Sequence, residues 1–461
     1  MRANIRGGFL TLALAAVLAF GMAVPACATE TDQNTSSEEE EEELTPEQAA
    51  LKEELDQVYQ MEVQSNGWTD WPQGPGTYGE AAIVMDVGTG AILYAKNIDD
   101  HHYPASITKV LTALVALQNG NLTDTVTFSH DSIAFLKSDE SSIGMKEGNQ
   151  ISLEQALYAT LLASANEVAY AVGENVGINA GHDYAWFVEQ MNAVCQELGG
   201  KNSHFVNTNG LHDPEHYTCA RDMALIGREL FKYPDFFRIA QTPQYTIPAS
   251  PTTEEHVFGQ HHQMLLQNEA EYYPFAIGGK TGYTSDALST LITMADNGTT
   301  QLVCVVLKTH GVNVYPDTRN LLEYGFNNFQ KIPVAEHETS EEIEKILDSE
   351  GGYVLLPTGA AFEDLEMEMI PDGGTSSEAT LNYYFGDQLV GTARAELSSS
   401  YIEEHSAQPQ DVSTEKAEET KDDPELLSRV ILGAAVVLLV ILIGLFIRIT
   451  RKRKKRRRRR R

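Results

Sequence analysis

Hydrophobic side chains recur three and four positions apart from Ile107 to Leu117, with polar residues between them. Asn119-Gly120 follows and is typical of a helix C-terminus. This pattern predicts a buried helix that begins at Ser106. Apolar residues between Leu153 and Leu161 predict a second buried helix, which the capping-box sequence Ser152-x-x-Gln155 introduces.

Two longer apolar runs, Leu288 to Ala295 and Gln301 to Leu307, flank the turn sequence Asp296-Asn297-Gly298 and predict a pair of antiparallel strands. Interleaved strands and helices over residues 77–330 favour one α/β core. Short strands joined by turns, including Gly386-Asp387, predict a small all-β domain over residues 331–400. The short strands are predicted at Tyr353 to Leu356, Leu365 to Ile370, Leu381 to Phe385 and Gln388 to Leu397.

The beginning of the chain has the pattern of a secretory signal peptide. Arg2 and Arg6 precede an apolar run from Phe9 to Phe20, and Ala26-Cys27-Ala28 is a small-residue cleavage sequence. Pro25 makes lipidation of Cys27 the less favoured interpretation. Residues 1–28 are therefore predicted to be removed on secretion.

The other end has the pattern of a membrane anchor. Val430 to Ile447 is an uninterrupted apolar stretch of 18 residues, close to the ~20 residues that span a bilayer. Eleven consecutive basic residues, 451–461, follow it and predict a cytoplasmic tail that contacts anionic lipid headgroups. A single-pass protein of the cell membrane with an outward-facing main domain is expected.

The patterns together divide the chain into seven regions. They are a signal peptide (1–28), an acidic disordered leader with a helical spacer (29–76), the α/β core (77–330), the small β domain (331–400), a flexible tether (401–428), a transmembrane helix (429–447) and a basic cytoplasmic tail (448–461). Thr45-Pro46-Glu47-Gln48 opens the spacer helix, which extends to about Met61 and either separates the leader from the core or packs on it.

Charge and cysteine content narrow the function class. The formal net charge is −33 although the last fourteen residues carry twelve positive charges, so the rest of the chain is strongly acidic and would repel nucleic acid. Away from the cleavage sequence there are three cysteines, and an odd number favours buried thiols over a disulfide framework. These cysteines are Cys195, Cys219 and Cys304.

Histidine pairs do not predict a metal site. The adjacent histidines at 101–102 and 261–262 are typical of solvated loops. His212 and His216 are four apart, but Pro214 between them prevents the helix that would place both on one zinc ion. No metal or cofactor is therefore predicted.

Ser106-Ile107-Thr108-Lys109 is the first of three motifs that carry candidate chemistry. It places a hydroxyl at a helix start and an amine one turn later on the same face. For Lys109 to act as a base near neutral pH, its pKa must fall from ~10.4 to ~7, a perturbation of roughly 4 to 5 kcal/mol. Burial and a second cation, for which Lys280 is the candidate, supply such a shift. The spacing alone is weak, since it recurs at residues 413–416 in a polar stretch.

The other two motifs are Ser164-Ala165-Asn166 and Lys280-Thr281-Gly282. Small and amide side chains after the second helix suit a polar cleft wall, with Ser164 to relay a proton and Asn166 to hold a substrate amide. The glycines at 278, 279 and 282 permit close approach of another backbone. An extended substrate is therefore expected to lie along this strand as an added edge.

In this order the motifs resemble those of the penicillin-binding proteins and serine β-lactamases. Longer strings are similar to the low-molecular-mass D-alanyl-D-alanine carboxypeptidases of the S11 type, including Tyr103 to Lys109, Asn209-Gly210-Leu211 and Asp222-Met223-Ala224. The likeness extends over about residues 77–330. It implies an α/β fold of the serine β-lactamase/transpeptidase type, with an antiparallel sheet flanked by helices, followed by the small all-β domain and the C-terminal transmembrane helix.

The resemblance also assigns roles to motif residues. Ser106 would be the acylated nucleophile and Lys109 its base. Ser164 and Asn166 would be the proton relay and the substrate-amide contact. The motif from Lys280 to Tyr283 would bind substrate, with the Lys280 and Thr281 side chains engaging its terminal carboxylate. The N–H groups of Ser106 and Tyr283 would form the oxyanion hole.

The chain departs from the family pattern at one place. Relatives carry an arginine shortly before the string Leu-Leu-x-Tyr-Gly-Phe, where this chain has Asn313-Val314-Tyr315-Pro316 ahead of Leu321 to Phe326. This arginine would bind the substrate carboxylate. Lys308 and Arg319 are the candidate replacements.

The expected activity is removal of the terminal D-alanine from peptidoglycan stem peptides through an ester on Ser106, and penicillins would acylate the same hydroxyl as covalent inhibitors. A serine β-lactamase is one alternative, but it needs a glutamate-activated water that the sequence does not identify. A non-catalytic penicillin sensor is another. Only about fourteen residues are expected on the cytoplasmic side of the membrane, which is too few for a signalling domain and argues against a sensor.

Overall fold

The structure is a computed structural model that describes residues 44–348, 352–373 and 376–406. The strands are β1 (Ala81–Asp86), β2 (Ile92–Lys96), β3 (Thr125–Thr127), β4 (Gln150–Ser152), β5 (Gln244–Ile247), β6 (His256–Gly259), β7 (Ala276–Thr284), β8 (Leu288–Asp296), β9 (Gln301–Thr309), β10 (Phe329–Pro333), β11 (Ile343–Ile346), β12 (Tyr353–Pro357), β13 (Glu366–Pro371), β14 (Glu378–Phe385) and β15 (Gln388–Leu397). The helices are α1 (Pro46–Tyr59), α2 (Thr108–Asn119), α3 (His130–Ala134), α4 (Leu153–Leu161), α5 (Asn166–Asn179), α6 (Tyr184–Glu197), α7 (Ala220–Glu229), α8 (Pro234–Ala240), α9 (Val314–Asn328), α10 (Val334–His337) and α11 (Ser399–Ser406).

A five-stranded antiparallel sheet in the order β2-β1-β9-β8-β7 lies at the centre of the fold. Alternate residues of its strands point to opposite faces. On β1, Ile83 and Met85 join the core on one face, and Ala82 and Val84 join the core on the other. The predicted strand pair is formed by β8 and β9. Strand β7 forms one edge of the sheet, so one side of it is open for pairing.

Helices cover both faces of this sheet. The core on one face includes buried residues of α2, α4, α5 and α7, and the core on the other includes Leu321, Leu322 and Tyr324 of α9. The α4 capping box is formed as the sequence predicts, because Ser152 Oγ accepts from Gln155 N at 3.2 Å and Gln155 Oε1 accepts from Ser152 N at 2.9 Å. The arrangement is the α/β sheet-and-helix class expected from the sequence.

The strands that follow α9 form two smaller antiparallel sheets, β10-β12 and β11-β15-β14-β13. They pack against the first part of the chain. Trp71 and Phe329 have ring centroids 5.2 Å apart, and Tyr353 donates from its hydroxyl to Asp86 Oδ2 at 2.8 Å. The described residues up to Ser398 therefore form one compact unit.

Helix α1 packs on the core, which answers a question that the sequence leaves open. Its capping box, Thr45 with Gln48, is present. Lys96 Nζ donates to the carbonyl of Val58 at 2.8 Å, and His310 Nε2 lies 3.0 Å from Glu54 Oε1. Because His310 follows the last residue of β9 and immediately precedes Gly311, α1 lies beside a segment that lines a cleft.

Several predictions concern residues outside the described ranges. The signal peptide (1–28), the acidic leader up to residue 43, the tether beyond residue 406, the transmembrane helix (429–447) and the basic tail (448–461) are among them. Within the described ranges no helix combines the length and apolar character that a membrane span requires. The first residues of the predicted tether are helical, since α11 covers Ser399–Ser406, a stretch with no glycine or proline.

Candidate active site

Ser106 lies in a tight 3₁₀ turn, Ala105–Ile107, that leads directly into α2. Ala105 has a φ of 50°, a left-handed conformation that a non-glycine residue adopts at a cost of about 1–2 kcal/mol. Two hydroxyls hold the turn: Thr108 Oγ1 donates to the Ala105 carbonyl at 2.9 Å, and Thr290 Oγ1 donates to the Pro104 carbonyl at 2.8 Å. The conformation that presents Ser106 is therefore fixed by its surroundings.

Lys109 is fully buried and makes three hydrogen-bond contacts. Its Nζ lies 2.9 Å from Ser106 Oγ, 2.8 Å from Asn166 Oδ1 and 2.6 Å from the Asn209 carbonyl oxygen. Burial, together with the positive charge of Lys280, holds the pKa of Lys109 well below its usual value, and the charge of Glu167 opposes this shift.

The three partners of Lys109 differ in what they can donate. Amide and carbonyl oxygens only accept hydrogen bonds, whereas a serine hydroxyl can also donate. A neutral amine has two N–H groups and one lone pair. Donation to Asn166 and Asn209 uses both N–H groups, and the lone pair then faces Ser106 Oγ. In its neutral form, Lys109 is therefore arranged to take the Ser106 proton.

Ser164 and Asn166 come from the turn between α4 and α5. Ser164 has a φ of 59° and lines the same cleft as Ser106. Asn166 is the first residue of α5, a helix start that the sequence pattern does not reveal because Ala165 provides no side-chain cap. Asn166 reaches the site from this helix end, and its backbone N–H donates to the Ser141 carbonyl at 2.9 Å.

Strand β7 brings the third motif to the other side of the cleft. Lys280 is 1% exposed, and burial lowers its pKa to about 7. Its Nζ donates to the Thr281 carbonyl at 2.8 Å. Gly282 is required by contact with the nucleophile turn, because a Cβ there would lie 2.9 Å from Ser106 N and 2.3 Å from Thr290 Oγ1.

These elements enclose a cleft of about 900 Å³. Ser106, Ser164 and Asn166 line it together with Thr281, Gly282 and Tyr283, whereas Lys109 and Lys280 are buried in its walls. Further lining residues are Lys137, Asp139, Glu140, Ser141, His212, His261, Val312, Val314 and Tyr315. Tyr283 is 68% exposed and stands at the opening. The structure thus places all eight residues chosen from the sequence in or directly behind one cleft; their individual roles remain predictions.

Neither candidate for the missing arginine lies on this cleft. Lys308 Nζ pairs with Glu80 Oε1 at 2.8 Å. Arg319 donates to the carbonyls of Glu271 and Tyr272, each at 3.0 Å. Both suggestions are therefore wrong. At the corresponding end the cleft is lined by Val312, Val314 and Tyr315, with His261 nearby as a titratable group.

The sequence pattern misses residues that reach the motifs from distant segments. The Asn209 carbonyl accepts from Lys109, and His216 Nε2 lies 2.9 Å from Thr108 Oγ1. Glu167 acts on Lys109 through its charge. Asn209 lies in a string that resembles the carboxypeptidases, but a backbone acceptor has no side-chain signature. In the sequence, His216 stands out only as one of two histidines four residues apart, which Pro214 excludes from a zinc site.

The arrangement supports covalent acyl transfer. It combines a hydroxyl at a strained turn, an amine positioned to deprotonate it, and an edge strand along which an extended peptide can pair. The N–H groups of Ser106 and Tyr283 are candidates to stabilise an oxyanion, since Gly282 keeps β7 against the Ser106 backbone. Two buried lysines with lowered pKa values in one cleft are typical of a catalytic site.

Comparison with known proteins adds independent information. A family model for D-alanyl-D-alanine carboxypeptidases matches residues 71–311. The D-alanyl-D-alanine carboxypeptidase DacA of Haemophilus influenzae is 31% identical over 273 residues, which make up 56% of this chain and 65% of that protein. The D-alanyl-D-alanine carboxypeptidase DacB2 of Mycobacterium tuberculosis is 32% identical over 271 residues, which make up 58% of this chain and 87% of that protein.

A solved structure resembles the same part of the chain. The Streptomyces K15 DD-transpeptidase has a TM-score of 0.51 and 26% sequence identity, and the match covers 55% of this chain and 99% of that one. The region that the family model covers includes all five strands of the central sheet and the three motifs, whereas Val312, Val314 and Tyr315 of the cleft lie just beyond it.

Proposed function

The chain belongs to the D-alanyl-D-alanine carboxypeptidase family of serine peptidases, and on this premise we propose that it removes the terminal D-alanine from peptidoglycan stem pentapeptides. The observation that carries the proposal is the set of contacts around Lys109 Nζ, which leaves its lone pair for the Ser106 hydroxyl. Family membership supplies the substrate class, and this geometry supports the chemistry.

Acylation begins when Ser106 Oγ attacks the carbonyl carbon between the two terminal D-alanines. Its proton passes to Lys109 Nζ, and the N–H groups of Ser106 and Tyr283 stabilise the tetrahedral oxyanion. When the C–N bond breaks, the departing D-alanine amine takes a proton from Lys109, either directly or through the Ser164 hydroxyl. The remaining peptide is held as an ester on Ser106.

Deacylation repeats this proton movement with water. Lys109, neutral again, accepts a proton from a water molecule that attacks the ester carbonyl. When the tetrahedral intermediate collapses and the bond to Ser106 Oγ breaks, Lys109 Nζ gives this proton to Ser106 Oγ, which leaves the acid product and a neutral lysine. Thr281 and the buried Lys280 lie on the β7 side, where the substrate carboxylate is expected. Penicillins acylate Ser106 by the same first step, as covalent inhibitors.

The test is to incubate the purified protein with a synthetic stem pentapeptide and to measure free D-alanine. Release without any added amine is the expected result and identifies a carboxypeptidase. Release that requires an acceptor amine and forms a joined product identifies a transpeptidase, and rapid repeated hydrolysis of a chromogenic cephalosporin identifies a β-lactamase. Covalent labelling by a fluorescent penicillin in a Ser106→Ala variant would overturn the assignment of the nucleophile.

We also propose that the protein is a single-pass membrane protein with its catalytic cleft outside the cytoplasm. The support is the sequence pattern, an apolar stretch over residues 430–447 followed by a basic tail. Extraction of cell membranes with alkaline carbonate is expected to leave the chain in the pellet, and a variant that stops at residue 428 is expected to be released. A pelleted truncated variant would contradict this proposal.

A further inference from the structure

Glu167 is a fully buried acidic residue that follows Asn166 at the start of α5. One of its oxygens, Oε1, accepts three hydrogen bonds: from Ser142 Oγ at 2.7 Å, from Ile143 N at 2.8 Å and from Gly144 N at 3.2 Å. The other oxygen, Oε2, is buried without a hydrogen-bond partner. Among the described residues no lysine or arginine forms an ion pair with it. Burial of a carboxylate without an ion pair destabilises the folded state. We therefore expect this residue to have a functional role.

The three donors belong to the segment 142–144, which continues directly from the cleft wall at Lys137 to Ser141. The segment has further contacts, because Ile143 packs against the hydrophobic core and Gly144 N donates to Ser142 Oγ at 2.9 Å. Asn166 N donates to the Ser141 carbonyl at 2.9 Å, and the ring of His256 lies 2.9 Å from the Ile143 carbonyl oxygen. Asn166 and Glu167 thus tie one wall of the cleft to the helix end that also carries the Asn166 contact to Lys109.

Glu167 also acts on Lys109 through space. The ionisable groups that face Lys109 are Lys280 from β7, His216 from the segment after Gly210, and Glu167 from α5. Burial lowers the pKa of His216 to about 3, so its ring is neutral. Lys280 disfavours a proton on Lys109, and Glu167 favours one. Acylation requires Lys109 to hold the Ser106 proton until the leaving amine takes it, so a nearby negative charge lowers the cost of that intermediate state.

We propose that Glu167 is a positioning residue for acyl transfer, which fixes the 141–144 wall of the cleft and provides the negative charge that lets Lys109 carry the Ser106 proton. The inference rests on the proposed function, because it assigns Glu167 to the reaction of Ser106. Glu167 itself does not line the cleft and is not expected to touch substrate.

Three variants separate the two contributions. Glu167→Gln retains an oxygen that can accept the three hydrogen bonds but removes the charge. Glu167→Ala removes both, and Ser142→Ala removes one of the three donors while the charge stays. The measurement is the second-order rate constant of acylation by a penicillin from pH 5 to pH 10, together with kcat and KM for D-alanine release from the pentapeptide. The midpoint of thermal unfolding controls for folding.

In the Glu167→Gln variant the acid limb of the acylation profile is expected to move to lower pH by on the order of half a unit or more. The plateau rate should fall about 3–10-fold, since a less basic Lys109 is a poorer proton acceptor. Ser142→Ala should raise KM and leave the midpoint of the limb in place. Glu167→Ala should combine both effects.

An unchanged midpoint in a folded Glu167→Gln variant would overturn the inference and reduce Glu167 to a structural residue. Failure of the proposed function has a different signature, because the unsubstituted protein would then not be acylated at all, or Ser106→Ala would still be. If the Glu167→Ala variant does not fold, the pH profile of acylation in the Glu167→Gln variant is sufficient to test the inference.

Discussion

Gly282 lies so close to Ser106 that a methyl group on it would stand 2.9 Å from the Ser106 backbone nitrogen. Strand β7, which we propose binds substrate, and the turn that carries the proposed nucleophile are therefore in direct backbone contact. Such an approach is what the proposed pairing of the Ser106 and Tyr283 N–H groups around an oxyanion requires. The proposed oxyanion site therefore combines two segments that are far apart in sequence, and their approach requires glycine at position 282.

Gly282→Ala is expected to separate β7 from the nucleophile turn and to lower the acylation rate by about 10²–10³-fold, the usual effect of losing one oxyanion donor. The measurement is the rate of labelling by a fluorescent penicillin at saturating and subsaturating concentrations. Tyr283→Ala is the matched control, because the proposed role of Tyr283 uses its backbone. This variant should label within a few-fold of the unsubstituted rate, and equal loss in both variants would refute the backbone role.

Lys109→Arg keeps a positive charge behind Ser106 but introduces a group that does not lose its proton in proteins. Loss of a general base typically costs about 10²–10⁴-fold in rate, and no recovery is expected as the pH is raised to 10. Lys308→Met serves as a control, because Lys308 pairs with Glu80 at the surface and does not line the cleft. Labelling of Lys109→Arg at the normal rate would exclude Lys109 as the base.

Lys280→Gln tests the electrostatic coupling between the two buried lysines. The charge of Lys280 lowers the pKa of Lys109, so its removal should raise that pKa. The acid limb of the acylation profile is then expected to move to higher pH, opposite to the shift expected for Glu167→Gln. The same pH series measures both. Limbs that move in the same direction in the two variants would contradict this account of the site.

Lys280→Met should stabilise the protein at low pH. Burial lowers the pKa of Lys280 from its ordinary value of 10.5 to about 7 in the folded chain. Between these two values the unfolded chain binds more protons, so folding stability rises with pH. Below pH 7 the buried cation costs at most about 5 kcal/mol. The variant should unfold at a higher denaturant concentration at pH 6, and its advantage should shrink as the pH approaches 10. If the gain in stability does not depend on pH, it arises from better packing of the methionine side chain and not from removal of the charge.

Local signals explain which parts of this fold are predictable from sequence. The capping boxes of α1 and α4 involve residues three apart, Thr45 with Gln48 and Ser152 with Gln155, and both are formed. The turn at residues 296–298 likewise joins two strands that pair directly. In each case the interacting residues are neighbours in the chain, so propensity and spacing contain the information.

The site itself is only partly predictable, because its contacts join distant segments. Lys109 and Asn209 are 100 residues apart, and no periodicity connects them. The three motifs are recognisable through resemblance to a family, whereas Glu167 and His216 carry no signal in a single sequence. Charge alone suggests Lys308 or Arg319 as the replacement for the expected arginine. In the structure both side chains have other partners and neither lines the cleft.

The hydroxyl of Thr108 links the buried His216 to the strained turn that contains Ser106. His216 Nδ1 accepts from Val206 N at 3.1 Å, so its proton lies on Nε2, which donates to Thr108 Oγ1 at 2.9 Å. Thr108 Oγ1 in turn donates to the carbonyl of Ala105 at 2.9 Å. Removal of this hydroxyl leaves the buried Nε2–H of His216 unpaired, at about 1–3 kcal/mol. It also removes one of the hydrogen bonds to the Ala105 carbonyl, which keeps the one from the Thr108 N–H.

Thr108→Val is therefore expected to lower the midpoint of thermal unfolding. Because Ala105 can then relax from its φ of 50°, the variant should also reduce kcat about 10-fold or more with little change in KM. A 1 Å displacement of a reacting group can cost about 10²-fold in rate. Thr108→Ser keeps the hydroxyl and should retain most of the activity. The kcat and KM of both variants on the pentapeptide distinguish the cases. Normal kcat in a destabilised Thr108→Val protein would show that the hydroxyl supports the fold but does not position Ser106.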